Sequence, residues 1–139
     1  MNKEIINNAI ETSDDYLDSL RNRNLNVYYF GELIDEPIDH PIIRPSINAV
    51  AKTYDLATEN PEIATAISPF TNKRINRFLH IAQSPYDVVM QNKMQRRLGQ
   101  LTGTCFQRCV GMDALNSLFS VTYEIDAKYS STYHEKFKN

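Results

Sequence analysis

Apolar residues in this chain change their spacing several times, and each change predicts an element. Ile47, Val50, Ala51, Tyr54 and Ala57 recur at helical spacing, with Lys52, Asp55 and Glu59 on other faces, which predicts an amphipathic helix capped by Ser46. A second stripe of Tyr86, Met90, Met94, Leu98 and Leu101 follows Ser84-Pro85, with Gln91, Gln95 and Arg96 facing elsewhere. Gly99 and Gly103 weaken its end and mark a break. From Thr104 to about Lys128 apolar side chains, among them Phe106, Val110, Met112, Leu118 and Ile125, surround most of a helix. That distribution predicts a buried central helix. The polar ending SSTYHEKFKN reads as its continuation.

The first half carries more punctuation. Thr12 followed by Asp15 fits a capping box for a helix over 12–21, with Tyr16, Leu17 and Leu20 on its apolar face. Residues 26–34, rich in β-branched and aromatic side chains, favour a strand that Gly31 can turn into a short ribbon. Pro37, Pro41 and Pro45 stand four residues apart, so the stretch between them is expected to be extended and to lay Ile38, Ile42 and Ile43 on the helices. Asn60-Pro61-Glu62 starts a short helix that Ser68-Pro69 closes. Residues 73–83 fit either a strand or an extended lead-in to the next helix. The fold class expected is mainly α, with one small extended element near residues 26–34.

Composition adds mostly exclusions. A chain of 139 residues fits one domain, and 42% hydrophobic with 23% charged residues is globular rather than disordered. Fifteen basic against 17 acidic residues leave a net charge of −2, with no field to attract nucleic acid or an anionic membrane. The first twenty residues lack the apolar core of a signal peptide, and no apolar run reaches the roughly 18 residues of a membrane span. A cytoplasmic protein without nucleic-acid or membrane partners is expected. Two cysteines are too few for a disulfide scaffold.

Those cysteines, Cys105 and Cys109, are the strongest candidates for chemistry. On a helix, side chains at i and i+4 share a face about 5–6 Å apart, a spacing that suits two corners of an iron–sulfur cube or of a zinc site. Free cysteine is also a common small core residue, and a metal site needs about four ligands. The three histidines, His40, His80 and His134, have no ligand-like spacing. Lys93, Arg96 and Arg97 could meet phosphates of a coenzyme, although cations near a helix C-terminus are favoured by the dipole alone. Tyr28, Tyr29 and Phe30 read as core, and His40 as a hydrogen-bonded loop residue. No phosphate loop, G-x-S-x-G or H-E-x-x-H is present.

YFGE at 29–32, DHPIIRPS at 39–46, NAVAKTYDLA at 48–57, KMQRRLGQ at 93–100, CFQRCVGMDA at 105–114 and TYEIDAKY at 122–129 together resemble one family. It is the 4-hydroxybutyryl-CoA dehydratase/vinylacetyl-CoA Δ-isomerase branch of the 4-hydroxyphenylacetate 3-hydroxylase-like flavoproteins. The resemblance runs from about Asp15 to the end, and CFQRCVGMDA marks the dehydratase branch, since the hydroxylases lack the cysteine pair. It implies a helical N-terminal domain like that of acyl-CoA dehydrogenases, in a homotetrameric enzyme that dehydrates 4-hydroxybutyryl-CoA to crotonyl-CoA. It also implies FAD, for transient one-electron oxidation, and a 4Fe–4S cluster held by three cysteines and one histidine. Cys105 and Cys109 match two of those ligands, and Gln107 lies between them.

The family continues through a β-rich middle domain and a C-terminal helical bundle, which carry the remaining ligands, the catalytic base and most of the flavin pocket. Residues 1–139 are accordingly expected to be a single helical domain, the N-terminal part of a longer chain. Alone, it is expected to hold no cofactor and no catalytic residue and to be inactive. The alternatives are a domain of a flavin-dependent 4-hydroxyphenylacetate 3-hydroxylase-like monooxygenase, or a non-catalytic helical binding domain.

Overall fold

A computed structural model describes residues 10–21, 23 and 25–138; residues 1–9, part of the stretch tested for a signal peptide, lie outside it. The Thr12 capping box forms as its spacing predicts. The Asp15 amide donates to Thr12 Oγ1 at 3.0 Å and the Thr12 amide to Asp15 Oδ2 at 3.0 Å, starting helix α1, Ser13–Arg21. Strands β1, Val27–Tyr29, and β2, Glu32–Ile34, pair antiparallel with Tyr28 opposite Leu33. Phe30 and Gly31 between them both have positive φ, 49° and 86°, as a two-residue hairpin turn that follows strand twist requires.

The proline-spaced stretch is not extended. The amides of Asp39, His40 and Ile43 donate back to the carbonyls of Glu36, Pro37 and His40, giving consecutive turns. Proline fixes φ near the value that such turns need at their first corner, so turn chemistry outweighs its resistance to helix. Only Ile38 of the three isoleucines is buried, and Ile42 is exposed. Helix α2, Arg44–Glu59, begins two residues before the expected cap, with Pro45 in its first turn and no capping side chain. Ser46 is therefore inside the helix, because proline at the first turn loses no hydrogen bond.

Helix α3, Pro61–Ala64, is one turn long and gives way to strand β3, Thr65–Ile67, well before Ser68-Pro69. Strand β4, Arg74–Asn76, pairs with it antiparallel, so the ambiguous 73–83 region contains a strand, a 3-10 turn at Arg77–Leu79 and an extended run. Among the described residues there are thus two hairpins where one was expected. Arg77 explains how the second one is held. Its buried guanidinium donates to the carbonyls of Ile63 at 2.7 Å, Glu62 at 3.3 Å and Thr65, pinning the end of α3.

Helix α4, Pro85–Thr102, starts at an Ser84 cap that accepts from the Asp87 amide at 3.3 Å, and ends at Gly103, whose φ of 63° is the left-handed C-cap. Met90, Met94 and Leu98 of the expected stripe are buried and Tyr86 is exposed, while Gln91 is buried too. The core gathers Ala49 and Leu56 of α2, Ala64 of α3, Phe78, Met94 and Leu98 of α4, Phe106 and Met112. Each of its buried Leu, Met and Phe side chains contributes about 1.5–3 kcal/mol over leaving it exposed.

Helix α5 runs from Cys109 to Tyr129, later than expected, and it is not a buried central helix. Met112 is its single buried residue; Val110, Leu118, Val121 and Tyr123 are exposed. Asn116 is its staple to the body, accepting from the Ala82 amide at 2.9 Å and donating to the His80 carbonyl at 3.2 Å. Nor does α5 continue to the end. Ser130 turns left-handed at φ 54°, and α6, Tyr133–Lys138, folds back along α5. The Asp126 carboxylate starts that turn by accepting from Ser131 Oγ at 2.6 Å, Tyr133 N at 2.9 Å and His134 N at 2.8 Å. Among the described residues no helix is long and apolar enough to cross a membrane.

Candidate functional site

Cys105 and Cys109 do not share a helix. Gly103 ends α4, α5 starts only at Cys109, and the residues between form a loop in which Gln107 is left-handed at φ 63°. The face-sharing expected from i, i+4 spacing is therefore replaced by another arrangement. Burial alternates along the loop: Cys105 exposed, Phe106 buried, Gln107 exposed, Arg108 and Cys109 half-buried. The backbone turns at Gln107, which is left-handed, and at Arg108, which lies in the α region, and through that turn Phe106 and Arg108 root the loop while Cys105 and Gln107 stay exposed. A helix would place Phe106 and Arg108 about 200° apart and could not root both. Cys109, at the first position of α5, packs partly against the core.

The roots belong to a column that crosses the molecule. Tyr16 of α1 stacks on Tyr54 of α2 with centroids 5.5 Å apart. The Arg108 guanidinium lies 4.5 Å from the Tyr54 centroid and 4.8 Å from that of Phe78, and Phe78 meets Phe106 at 5.7 Å. Arg108 Nη1 also donates to Thr53 Oγ1 at 2.8 Å, while that hydroxyl donates to the Val50 carbonyl at 2.6 Å. Burial pulls Arg108 below the ordinary arginine range, opposed only by the phenols of Tyr54 and Tyr16. No carboxylate pairs with it among the described residues. Sequence reasoning passed over Arg108, although an arginine between two candidate ligands was the available signal.

The remaining candidates are dispersed. His40 sits in the turn before α2, with Nδ1 accepting weakly from the Ile42 amide at 3.4 Å and its ring 5.5 Å from Tyr29. His80 is buried, and its Nε2 faces Asp87 Oδ1 at 3.3 Å but off the line of a hydrogen bond. His134 is buried between α5 and α6, with Nδ1 at 3.0 Å from Thr122 Oγ1. Tyr28 and Phe30 are exposed on the first hairpin, not in the core. Lys93, Arg96 and Arg97 are exposed on α4, which runs on to Thr102 with no basic residue in its last turn. The dipole acts within that turn, so the helix-end account of this trio fails.

Two thiols on a doubly rooted loop suit two corners of an iron–sulfur cluster, whose usual protein ligands are thiolates. One is exposed and the other half-buried, so neither is sealed in the core. Among the described residues no group of three or more His, Cys, Asp or Glu side chains could hold a metal ion. The donor set fits half a cluster site.

The sequence profile of the family described as 4-hydroxyphenylacetate 3-hydroxylase, N terminal, matches residues 12–139. A 4-hydroxybutyryl-CoA dehydratase/vinylacetyl-CoA Δ-isomerase from Clostridium aminobutyricum is 54% identical over 129 residues, 91% of this chain and 26% of that protein. The 4-hydroxyphenylacetate 3-monooxygenase oxygenase component of Thermus thermophilus is 25% identical over 133 residues, 92% of this chain and 26% of that protein. Among solved structures, an oxygen-tolerant archaeal 4-hydroxybutyryl-CoA dehydratase from N. maritimus superposes with TM-score 0.88 and 63% identity, over 94% of this chain and 26% of that one. The chain thus spans about a quarter of the length of these relatives.

Proposed function

Because the chain belongs to the 4-hydroxyphenylacetate 3-hydroxylase N-terminal family, we propose that it is the N-terminal helical domain of a 4-hydroxybutyryl-CoA dehydratase-like enzyme and supplies two cluster ligands, Cys105 and Cys109. The observation that carries this reading is the 54% identity to a dehydratase over 91% of the chain, against 25% to a hydroxylase over a similar span. A flavin-dependent hydroxylase role is the weaker alternative for the same reason.

In this reading the longer protein holds FAD and a 4Fe–4S cluster, and acts on an acyl-CoA as a homotetramer. Bound, the pair of cofactors supplies one-electron oxidation of the substrate and a Lewis acid towards its leaving hydroxyl. The residues described here bind and orient. Cys105 and Cys109 would each ligate an iron of the cluster, and Phe106 and Arg108 fix the loop that carries them. Gln107, exposed and left-handed, stands between the two cysteines in sequence. The domain alone has two of about four ligands, and it is inactive.

The test is Cys105→Ala and Cys109→Ala in the longer protein. Each is expected to abolish iron and sulfide retention together with dehydration, because a corner iron loses its protein ligand. Full iron content in either variant would sink the assignment. In the 139-residue chain the Cys109→Ala change is expected to cost only about 1 kcal/mol, the centre of the ordinary mutational range, read as a small fall in Tm.

A further inference from the structure

We propose that Arg108 is the positioning residue that sets the spacing of the Cys105 and Cys109 thiols. The proposal deepens the ligand reading above and rests on it for its biological meaning, though not for its test. A half-buried arginine gains from a partner, because removing a cation from water is costly unless it is paired or hydrogen-bonded. Here the guanidinium is held instead by rings and a hydroxyl: its carbon lies over the Tyr54 ring at 4.5 Å and over the Phe78 ring at 4.8 Å, and Thr53 Oγ1 receives one N–H at 2.8 Å.

Every one of these partners is far away in sequence and belongs to the rigid body of the fold. Thr53 and Tyr54 sit in the middle of α2, and Thr53 is itself buried and bonded to Val50. Phe78 lies in the 3-10 turn and in the core. Arg108 is also the residue immediately before α5, whose N-terminus has no capping side chain. The clamp therefore determines both where α5 begins and where Cys109, its first residue, is held. On the other side Phe106 docks on Phe78, which holds Cys105 one residue away. Both roots meet on one ring, so the two cysteines are referenced to the same point. Gln107 then bridges the roots in a left-handed conformation that non-glycine residues rarely adopt, a strain that persists only where the surroundings over-determine it.

Lysine cannot reproduce this arrangement. Its ammonium is a point charge without the planar, multi-donor group that meets two rings and the Thr53 hydroxyl at once. A merely charge-based role would tolerate Arg108→Lys, whereas a positioning role would not.

The experiment titrates Co2+ into the reduced 139-residue chain without oxygen and follows the thiolate-to-cobalt charge-transfer absorption, whose intensity per bound ion counts the thiolates attached. The wild-type chain is expected to show a two-thiolate band, halved in Cys105→Ala and in Cys109→Ala. Arg108→Gln and Arg108→Lys are expected to weaken Co2+ binding by about tenfold or more, the usual loss when a supporting residue behind a metal ligand is removed, and to reduce the band to one thiolate. Far-UV circular dichroism reports whether each variant is folded. Should the arginine variants not fold, Tyr54→Leu removes one ring of the clamp and is expected to move the band the same way. A folded Arg108→Gln chain with the full two-thiolate band and unchanged affinity overturns the proposal, as does a wild-type chain that never shows that band. Should the cysteines prove not to hold iron in the longer protein, the cobalt result still stands, so the two failures are distinguishable.

Discussion

Helices α4 and α5 are of similar length, and their burial runs opposite to their composition. Helix α4 carries three cations, three glutamines and an asparagine, yet it buries Met90, Gln91, Met94 and Leu98. Helix α5 is much the more apolar, yet Met112 alone is buried. The difference lies in what each helix meets. Met94 and Leu98 of α4 face Leu56 of α2, Ala64 of α3 and Phe78 together. Helix α5 touches the body at its first turns, through Asn116 and at Phe119, whose ring meets Phe70 at 5.7 Å, and has α6 against its far end. A helix that is hydrophobic nearly all round is one made to be covered, and the described residues cover it on one side.

The comparison can be broken most directly by truncating each helix in turn. Met94→Ala is expected to cost about 2–5 kcal/mol, the transfer loss plus the cavity left in a tight core. Leu118→Ala on α5, about half exposed, is expected to stay within roughly 0.5 kcal/mol in the same chain. Equal shifts in Tm would refute the contrast. In a protein of the relatives' full length, the Leu118→Ala cost should rise if further chain covers α5.

Arg77→Met comes next in size. It leaves the buried carbonyls around Ile63 and Thr65 without their donor, at a cost of about 1–3 kcal/mol, measurable by urea unfolding. Thr12→Ala follows at about 1 kcal/mol, the usual value of a lost helix cap, and should loosen α1 while leaving α4 unchanged by hydrogen exchange.

The smallest effect concerns α6. Burial tends to raise the Asp126 carboxyl, but the Ser131 hydroxyl and the His134 and Tyr133 amides outweigh it, so its pKa lies below the ordinary carboxylate value. A depressed folded pKa stabilises the fold above the unfolded value, and that contribution is lost as pH falls through the folded one. The α6 docking should therefore hold down to about pH 4, the ordinary aspartate value, and fade below it, as NMR signals of Phe137 would report. Asp126→Asn should remove that dependence.

Much of the fold was legible along the chain because its signals act within about four residues. Thr12 with Asp15, Pro61, Ser84 with Asp87, Gly31 and Gly103 each start or stop an element through a local hydrogen bond or a local φ. The same local rules explain the second hairpin after the fact, since Thr65 and Ile67 are β-branched, but a one-turn helix beside them masked it. The cysteine pair was legible as residues and not as geometry. Spacing suggested one helix face, and the structure gives a loop with two roots.

What the sequence alone determined is therefore the starts of α1, α3 and α4, the end of α4 at Gly103 and the predominance of helix. Tertiary structure alone decided which apolar face is covered and what holds the cysteine loop. The physical reason is range. Arg108 meets Thr53 across 55 positions and Asn116 meets Ala82 across 34. Contacts of that separation leave no periodicity in a single chain, because they depend on how whole elements pack and not on the residues beside them.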